Sequence, residues 1–362
     1  MKLDLLFIGN KFIYNTALKE YIVRKVEQKC DFITSITHYK EGDNSLFLYL
    51  ESELEADNKL VIVTTKNNCS TVGKLISTIT SDNQVLKDTT LVPSKVQEYG
   101  DRTYLLKYKA SSVNVISMDE LQKMPEVLLE VESNKETVHI FNEQRDSAIA
   151  LLNPLAQMHD VSLDVIVVVD GWLQVDIKSK KYGNIANFIE SSKQLLSRKF
   201  IAHPNIVAHI IETLARNNKK ISFAESCTGG LMSYYFTSQN GASQILDGSL
   251  ITYSNDLKDN WLAVSHDTLV EFGAVSEQVV QQMSEGAMNV SHADYAISVS
   301  GIAGDTGGTD LKPLGTIYIS VRTKSEHREV HLQLNGDRNY VQHQSVLYAI
   351  KLLLSIDKDI FF

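Results

Sequence analysis

Apolar positions near the N-terminus alternate between short continuous runs and helically spaced sets. Leu3–Ile8, Asp31–Thr37 and Lys59–Thr65 read as strands, and Tyr14–Gln28 (Leu18, Tyr21, Ile22, Val26) and Ser45–Leu54 as helices. This β-α-β-α-β rhythm predicts a parallel sheet with crossover helices. Further on, Val161–Val169, the turn Asp170-Gly171 and the alternating Trp172–Ile177 predict a hairpin, with a helix over Ile185–Lys199. A two-stranded ribbon plus helix suits a small linker module. From His203 the pattern resumes. Ile206–Asn217 is an amphipathic helix, Ile221–Glu225 a strand and Leu231–Phe236 a helix start. Ser249–Ser254 and Ala293–Ser300 are strands, and Glu277–Val290 is a helix capped by Ser276. Thr316–Arg322 and Glu329–Leu334 pair as a hairpin, and a helix over Asp337–Ile356 closes the chain.

With 362 residues, two or three domains are expected. A net charge of -9 makes a generic nucleic-acid surface a poor match. Cys30, Cys69 and Cys227 are too few and scattered for a disulfide framework or a zinc site. The start carries no secretory pattern and no apolar run long enough to span a bilayer, so the cytosol is the expected compartment.

The chemistry concentrates where Ile221–Glu225 stops at Ser226-Cys227-Thr228-Gly229-Gly230 and a helix begins at once. Such a turn lifts side chains at the strand end and gathers backbone N–H groups, with the helix dipole favouring negative charge. Ser226 and Cys227 are rival nucleophiles. Two more loops follow strands and are rich in Gly, Ser or Thr: Tyr253–Lys258 and Ser300–Gly308. Strand C-termini of an α/β sheet converge on one crevice. None of the ten histidines falls in these loops, so Lys258 is the candidate base for Ser226, with Tyr253 relaying the proton or orienting the lysine. A solvated helix lysine is the plain alternative. A thiolate ordinarily wants a paired imidazole, which favours Ser226 over Cys227. Asp337 suits an N-cap, and Arg338 could clamp a phosphate or carboxylate or sit in a surface ion pair.

These residues closely resemble the C-terminal domain of the competence/damage-inducible CinA family, the nicotinamide mononucleotide deamidases. The matching motifs are Ala224–Gly230, Thr252–Lys258, Phe272–Ser276, Ser300–Gly304, Gly307-Gly308, Lys312–Thr316 and Gly336-Asp337-Arg338, in the family's order. Asp305-Thr306 departs from a Pro common in the family. The resemblance implies hydrolysis of the carboxamide of nicotinamide mononucleotide, with Ser226 as nucleophile, Lys258 and Tyr253 as the base system, and no metal or other cofactor. It further implies that Thr228, Gly229, Gly230, Gly301, Ile302, Ala303 and Gly304 hold the oxyanion and the 5'-phosphate, with Arg338 beside them. It also implies a homodimer.

The expected fold class is α/β in three domains. A molybdopterin-binding-like parallel-sheet domain spans 1–158, a KH-like α+β linker 159–202 and the α/β deamidase domain 203–362. In the first, Gly9-Asn10-Lys11-Phe12-Ile13 and Thr65–Ser70 stand where the resemblance would put Gly-Thr-Glu-Leu-Leu-like and Gly-rich phosphate loops. These departures weigh against a metal-dependent ADP-ribose pyrophosphatase and favour a dimerising role. A non-catalytic protein partner linked to competence or DNA damage is the third reading.

Overall fold

The computed structural model describes residues 3–30, 32–129, 135–304 and 306–362. The chain divides into two compact units, Met1–Asn134 and Lys135–Phe362. No helix among the described residues is long and apolar enough to cross a membrane.

The first unit runs β1 (Leu3–Ile8), α1 (Asn10–Tyr14), α2 (Thr16–Glu27), β2 (Ser35–Tyr39), α3 (Leu46–Glu55), β3 (Lys59–Thr64) and α4 (Lys66–Ile79). A hairpin of β4 (Gln84–Lys87) and β5 (Thr90–Pro93) follows, then β6 (Glu98–Gly100), β7 (Thr103–Tyr108) and β8 (Ser111–Ser117). Its sheet has the order β2-β1-β3-β8-β7-β6. β2, β1 and β3 are parallel, as predicted, β8 joins them in parallel, and β7 and β6 are antiparallel. β1 and β3 read as continuous apolar runs because both their faces are covered. Leu5, Phe7, Val61 and Val63 pack against Ile22 and Val26, whereas Leu6, Ile8 and Ile62 pack against Leu50, Leu54 and Ile76. The strand expected over Asp31–Thr37 begins at Ser35, and Asp31 lies outside the described residues. It is an edge strand, so its register with the apolar pattern is weak. At the carboxyl ends of these strands, Lys11 Nζ lies 3.5 Å from Asp119 and 3.8 Å from Glu120. The loops after β1 and β3 carry no paired carboxylates, but the loop after β8 does.

The second unit opens with β9 (Lys135–Phe141), α5 (Arg145–Met158), β10 (Val161–Val169), β11 (Trp172–Ser179), α6 (Ile185–Leu195) and β12 (Phe200–Ile201). The expected boundary at 158/159 therefore moves to 134/135. β9 pairs antiparallel with both β11 and β12, giving a four-stranded sheet of order β10-β11-β9-β12. The expected ribbon and helix are the second half of a β-α-β-β-α-β, split βαβ arrangement. The boundary expected at 202/203 does not separate compact units either. Phe141, Val169, Trp172 and Ile201 share one core with Ile210, Phe223 and Leu353. β11 is consequently buried on both faces, with Leu173, Val175 and Ile177 turned to the core that holds Phe188.

The remainder comprises α7 (Ile206–Arg216), β13 (Ile221–Glu225), α8 (Leu231–Thr237), β14 (Leu246–Ile251), α9 (Asn255–Leu262), α10 (His266–Phe272) and α11 (Glu277–Ser291). It ends with β15 (Tyr295–Gly301), β16 (Thr316–Thr323), β17 (His327–Gln333), α12 (Arg338–Ile356) and α13 (Lys358–Phe361). The sheet order is β14-β13-β15-β16-β17, with β13 parallel to both neighbours and the β16–β17 hairpin antiparallel. α11 covers one face and α12 the other. β13, an interior strand, thus delivers its C-terminal end between those of β14 and β15, the crevice that the sequence pattern predicts.

Candidate active site

β13 is fully buried along Ile221–Glu225, so the chain carries Glu225 into the interior. A buried carboxylate demands donors. Its Oε2 accepts from Thr228 Oγ1 (2.8 Å), Gly230 N (3.0 Å) and Met232 N (3.0 Å). Its Oε1 accepts from Ser233 N (2.9 Å) and Ser233 Oγ (2.7 Å). The positive end of α8 is therefore met by the chain's own acid. Gly229 (φ 59°) and Gly230 (φ 104°) let the backbone fold over that carboxylate, a conformation that side chains disfavour.

This corrects part of the expected ligand set. The Gly230 N–H and the Thr228 hydroxyl are spent on Glu225, and Gly229 N donates to Ser226 O at 3.2 Å. Ser226 N donates to Val299 O and Leu231 N to Thr228 O. Two N–H groups of the turn remain. Neither that of Cys227 nor that of Thr228 has an acceptor among the described residues. Both residues are buried.

Ser226 and Cys227 diverge as neighbours in a tight turn must. The Cys227 thiol is enclosed, and burial pushes it up to about 12, which holds it protonated. Ser226 keeps 9% of its surface exposed, and its Oγ lies 3.1 Å from Lys258 Nζ.

Lys258 reaches Ser226 because β14 ends beside β13 and Ser254 caps α9 by accepting from Leu257 N, which starts the helix in the crevice. Its side chain is not solvated. Only 1% of the residue is exposed, and Nζ donates to Thr252 O (2.7 Å) and Tyr253 O (3.2 Å) as well as to Ser226. Among the described residues no carboxylate forms an ion pair with it. Burial lowers its pKa to about 8. Tyr253 contributes its carbonyl rather than its phenol. The ring is 63% exposed, and no hydrogen bond joins the hydroxyl to Lys258 or Ser226. The expected proton relay through the phenol gives way to a main-chain orienting contact.

In the third loop, Gly301 remains in β15 opposite Ile317, and Ile302 N donates to Thr316 O at 2.9 Å. Both are held by the sheet. Ala303 is buried, and Gly304 lies directly under the Arg338 guanidinium, where a Cβ would collide with it. Asp305 lies outside the described residues. Asp337 caps α12 by accepting from Tyr340 N at 2.8 Å, as predicted, and this aims Arg338 over the loop. Arg338 forms no ion pair among the described residues.

Two participants escaped the sequence reading. Glu225 could have been found as an acid four residues before Gly229-Gly230, with hydroxyls at Thr228 and Ser233. Gln342 of α12, whose Nε2 donates to Cys227 O at 2.7 Å, carries no local signal.

Residues 204–356 match the family model described as the CinA C-terminal domain. A CinA-like protein of Prochlorococcus marinus (strain MIT 9215) is 38% identical over 194 residues, covering 50% of this chain and 46% of that protein. A CinA-like protein of Thermotoga neapolitana is 42% identical over 144 residues, covering 40% and 35%. The chain thus spans less than half the length of these curated relatives. Among solved structures, the competence/damage inducible protein CihA from Agrobacterium tumefaciens is 33% identical, with 42% of this chain and 93% of that chain covered and a TM-score of 0.41.

Proposed function

We propose, for a chain whose C-terminal domain belongs to the CinA family, that this domain hydrolyses the carboxamide of nicotinamide mononucleotide to nicotinate mononucleotide and ammonia. The observation that carries the reading is the buried Ser226–Lys258 pair at 3.1 Å, in which the lysine is faced by neutral oxygens and, among the described residues, no carboxylate. Burial lowers the pKa of an ammonium so placed to about 8, and a neutral amine within hydrogen-bond reach of a hydroxyl is a general base.

In this mechanism neutral Lys258 takes the Ser226 hydroxyl proton as Oγ attacks the carboxamide carbon. The carbonyl π pair moves onto oxygen, toward the free N–H groups of Cys227 and Thr228. The intermediate collapses, and the C–N bond breaks as the Lys258 ammonium returns its proton to the leaving nitrogen. Ammonia departs from an ester of Ser226. Water then gives a proton to Lys258 and attacks the ester carbon, and Ser226 leaves with that proton restored. The sum is amide plus water to acid plus ammonia. Arg338, exposed and without an anionic partner among the described residues, suits the 5'-phosphate.

Purified protein is incubated with nicotinamide mononucleotide and ammonia release is measured. Turnover is expected in wild type and in Cys227→Ala and absent in Ser226→Ala. Loss confined to Cys227→Ala would overturn the mechanism, and a folded wild type without turnover would overturn the substrate.

A further inference from the structure

An orphaned N–H inside a folded chain is costly and persists only where something fixes it. The Thr228 N–H is such a group, and its orientation has a visible cause. In a trans peptide the N–H points opposite to the carbonyl of the same plane. The plane in question joins Cys227 to Thr228, and its carbonyl is held by Gln342 Nε2 at 2.7 Å. Gln342 therefore turns the Cys227 carbonyl toward α12 and the Thr228 N–H away from it. The preceding plane is fixed similarly, since Ser226 O accepts from Gly229 N at 3.2 Å and the Cys227 N–H points the opposite way. Both N–H groups are thus set by donors that hold the carbonyl on the far side of each plane, one local and one 115 residues distant.

We infer that Gln342 is a positioning residue for this site: it locks the Cys227–Thr228 peptide so that the Thr228 N–H is preorganised for an oxyanion forming on the group that Ser226 attacks. The inference rests on the Ser226 chemistry proposed above, but not on the identity of the amide. Gln342 is half-buried and touches no reacting atom, so its effect passes through the peptide plane. Without its amide donor the carbonyl loses its partner and the plane is free to rotate, so the N–H must be reoriented during the reaction.

The test separates the two readings by using two acceptors of the serine. The first is nicotinamide mononucleotide. The second is a fluorophosphonate, in which Ser226 Oγ forms a bond to phosphorus, fluoride leaves, Lys258 takes the proton and the phosphoryl oxygen needs the same donors. Gln342→Met keeps the side-chain bulk and removes the donor. Loss of a preorganised oxyanion contact costs about 10- to 1,000-fold. The expected result is a fall of about 10- to 100-fold in kcat and in the fluorophosphonate labelling rate, with KM within about twofold and the thermal midpoint nearly unchanged. Gln342→Asn, one methylene too short, is expected to behave likewise. Labelling that falls in both variants while wild type ignores the nucleotide would support the positioning role and remove the substrate assignment. Equal labelling in wild type and Gln342→Met overturns the inference whatever the substrate. Absence of labelling at Ser226 in wild type overturns both readings. Failure of both variants to fold, or a rise in KM equal to the fall in kcat/KM, overturns it by making Gln342 an ordinary packing residue.

Discussion

Each unit presents a lysine beyond the carboxyl end of a parallel strand, and the two have opposite surroundings. Lys11, after β1, faces Asp119 and Glu120 at 3.5 and 3.8 Å. Lys258, beyond β14, faces a hydroxyl and two carbonyls and is almost wholly buried. The same side chain at the same kind of sheet edge is an ion-pair partner in one case and a candidate base in the other. What differs is the carboxylate, and a lysine becomes basic enough to work only where counter-charge is withheld and water excluded.

The sharpest way to break this comparison is to remove each lysine in turn. Lys258→Met is expected to lower kcat for ammonia release by about 10³- to 10⁴-fold, whereas Lys11→Met, which ends a partly exposed ion pair, should change it less than about twofold. Comparable losses from the two would show that the carboxylate environment decides nothing.

Next in size is Glu225→Gln. The new amide turns N–H groups toward the N–H donors of Gly230, Met232 and Ser233, and a cost of about 2–4 kcal/mol in unfolding free energy is expected. Urea titration measures it, and an unchanged midpoint would mean that the carboxylate does not organise the turn.

A smaller, graded effect comes from pH. The working form of Lys258 is neutral, so kcat/KM should climb about tenfold per unit below its pKa and level off near 8. A profile flat from pH 6 to 9 would remove Lys258 as base. Stability carries the same signature. Between about pH 8 and 10.5 the unfolded chain binds a proton at Lys258 that the folded chain does not, so stability rises with pH across that window. Lys258→Met should flatten the rise.

The sequence shows much of this site because its signals are local. A β-branched run meeting Ser-Cys-Thr-Gly-Gly marks the turn, and Ser254 and Asp337 announce their helices as caps. What it hides depends on long-range placement. Whether Lys258 is solvated depends on how closely β14 runs beside β13, and Gln342 acts across 115 residues. The fate of the Gly230 N–H could not be read while Glu225 passed as an ordinary strand residue. The domain boundary is hidden because β9 shows its role only when paired with β11 and β12.

α12 ties two distant turns to one rod. Near its start Gln342 grips the Cys227 carbonyl, and further along Lys351 Nζ donates to the Asp170 carbonyl in the β10–β11 turn. Nine residues of helix separate these contacts, about 14 Å. A helix is stiff along its axis, so the β10–β11 turn and the nucleophile turn share one mechanical strut. A push that slides α12 by a fraction of an ångström acts on both ends at once.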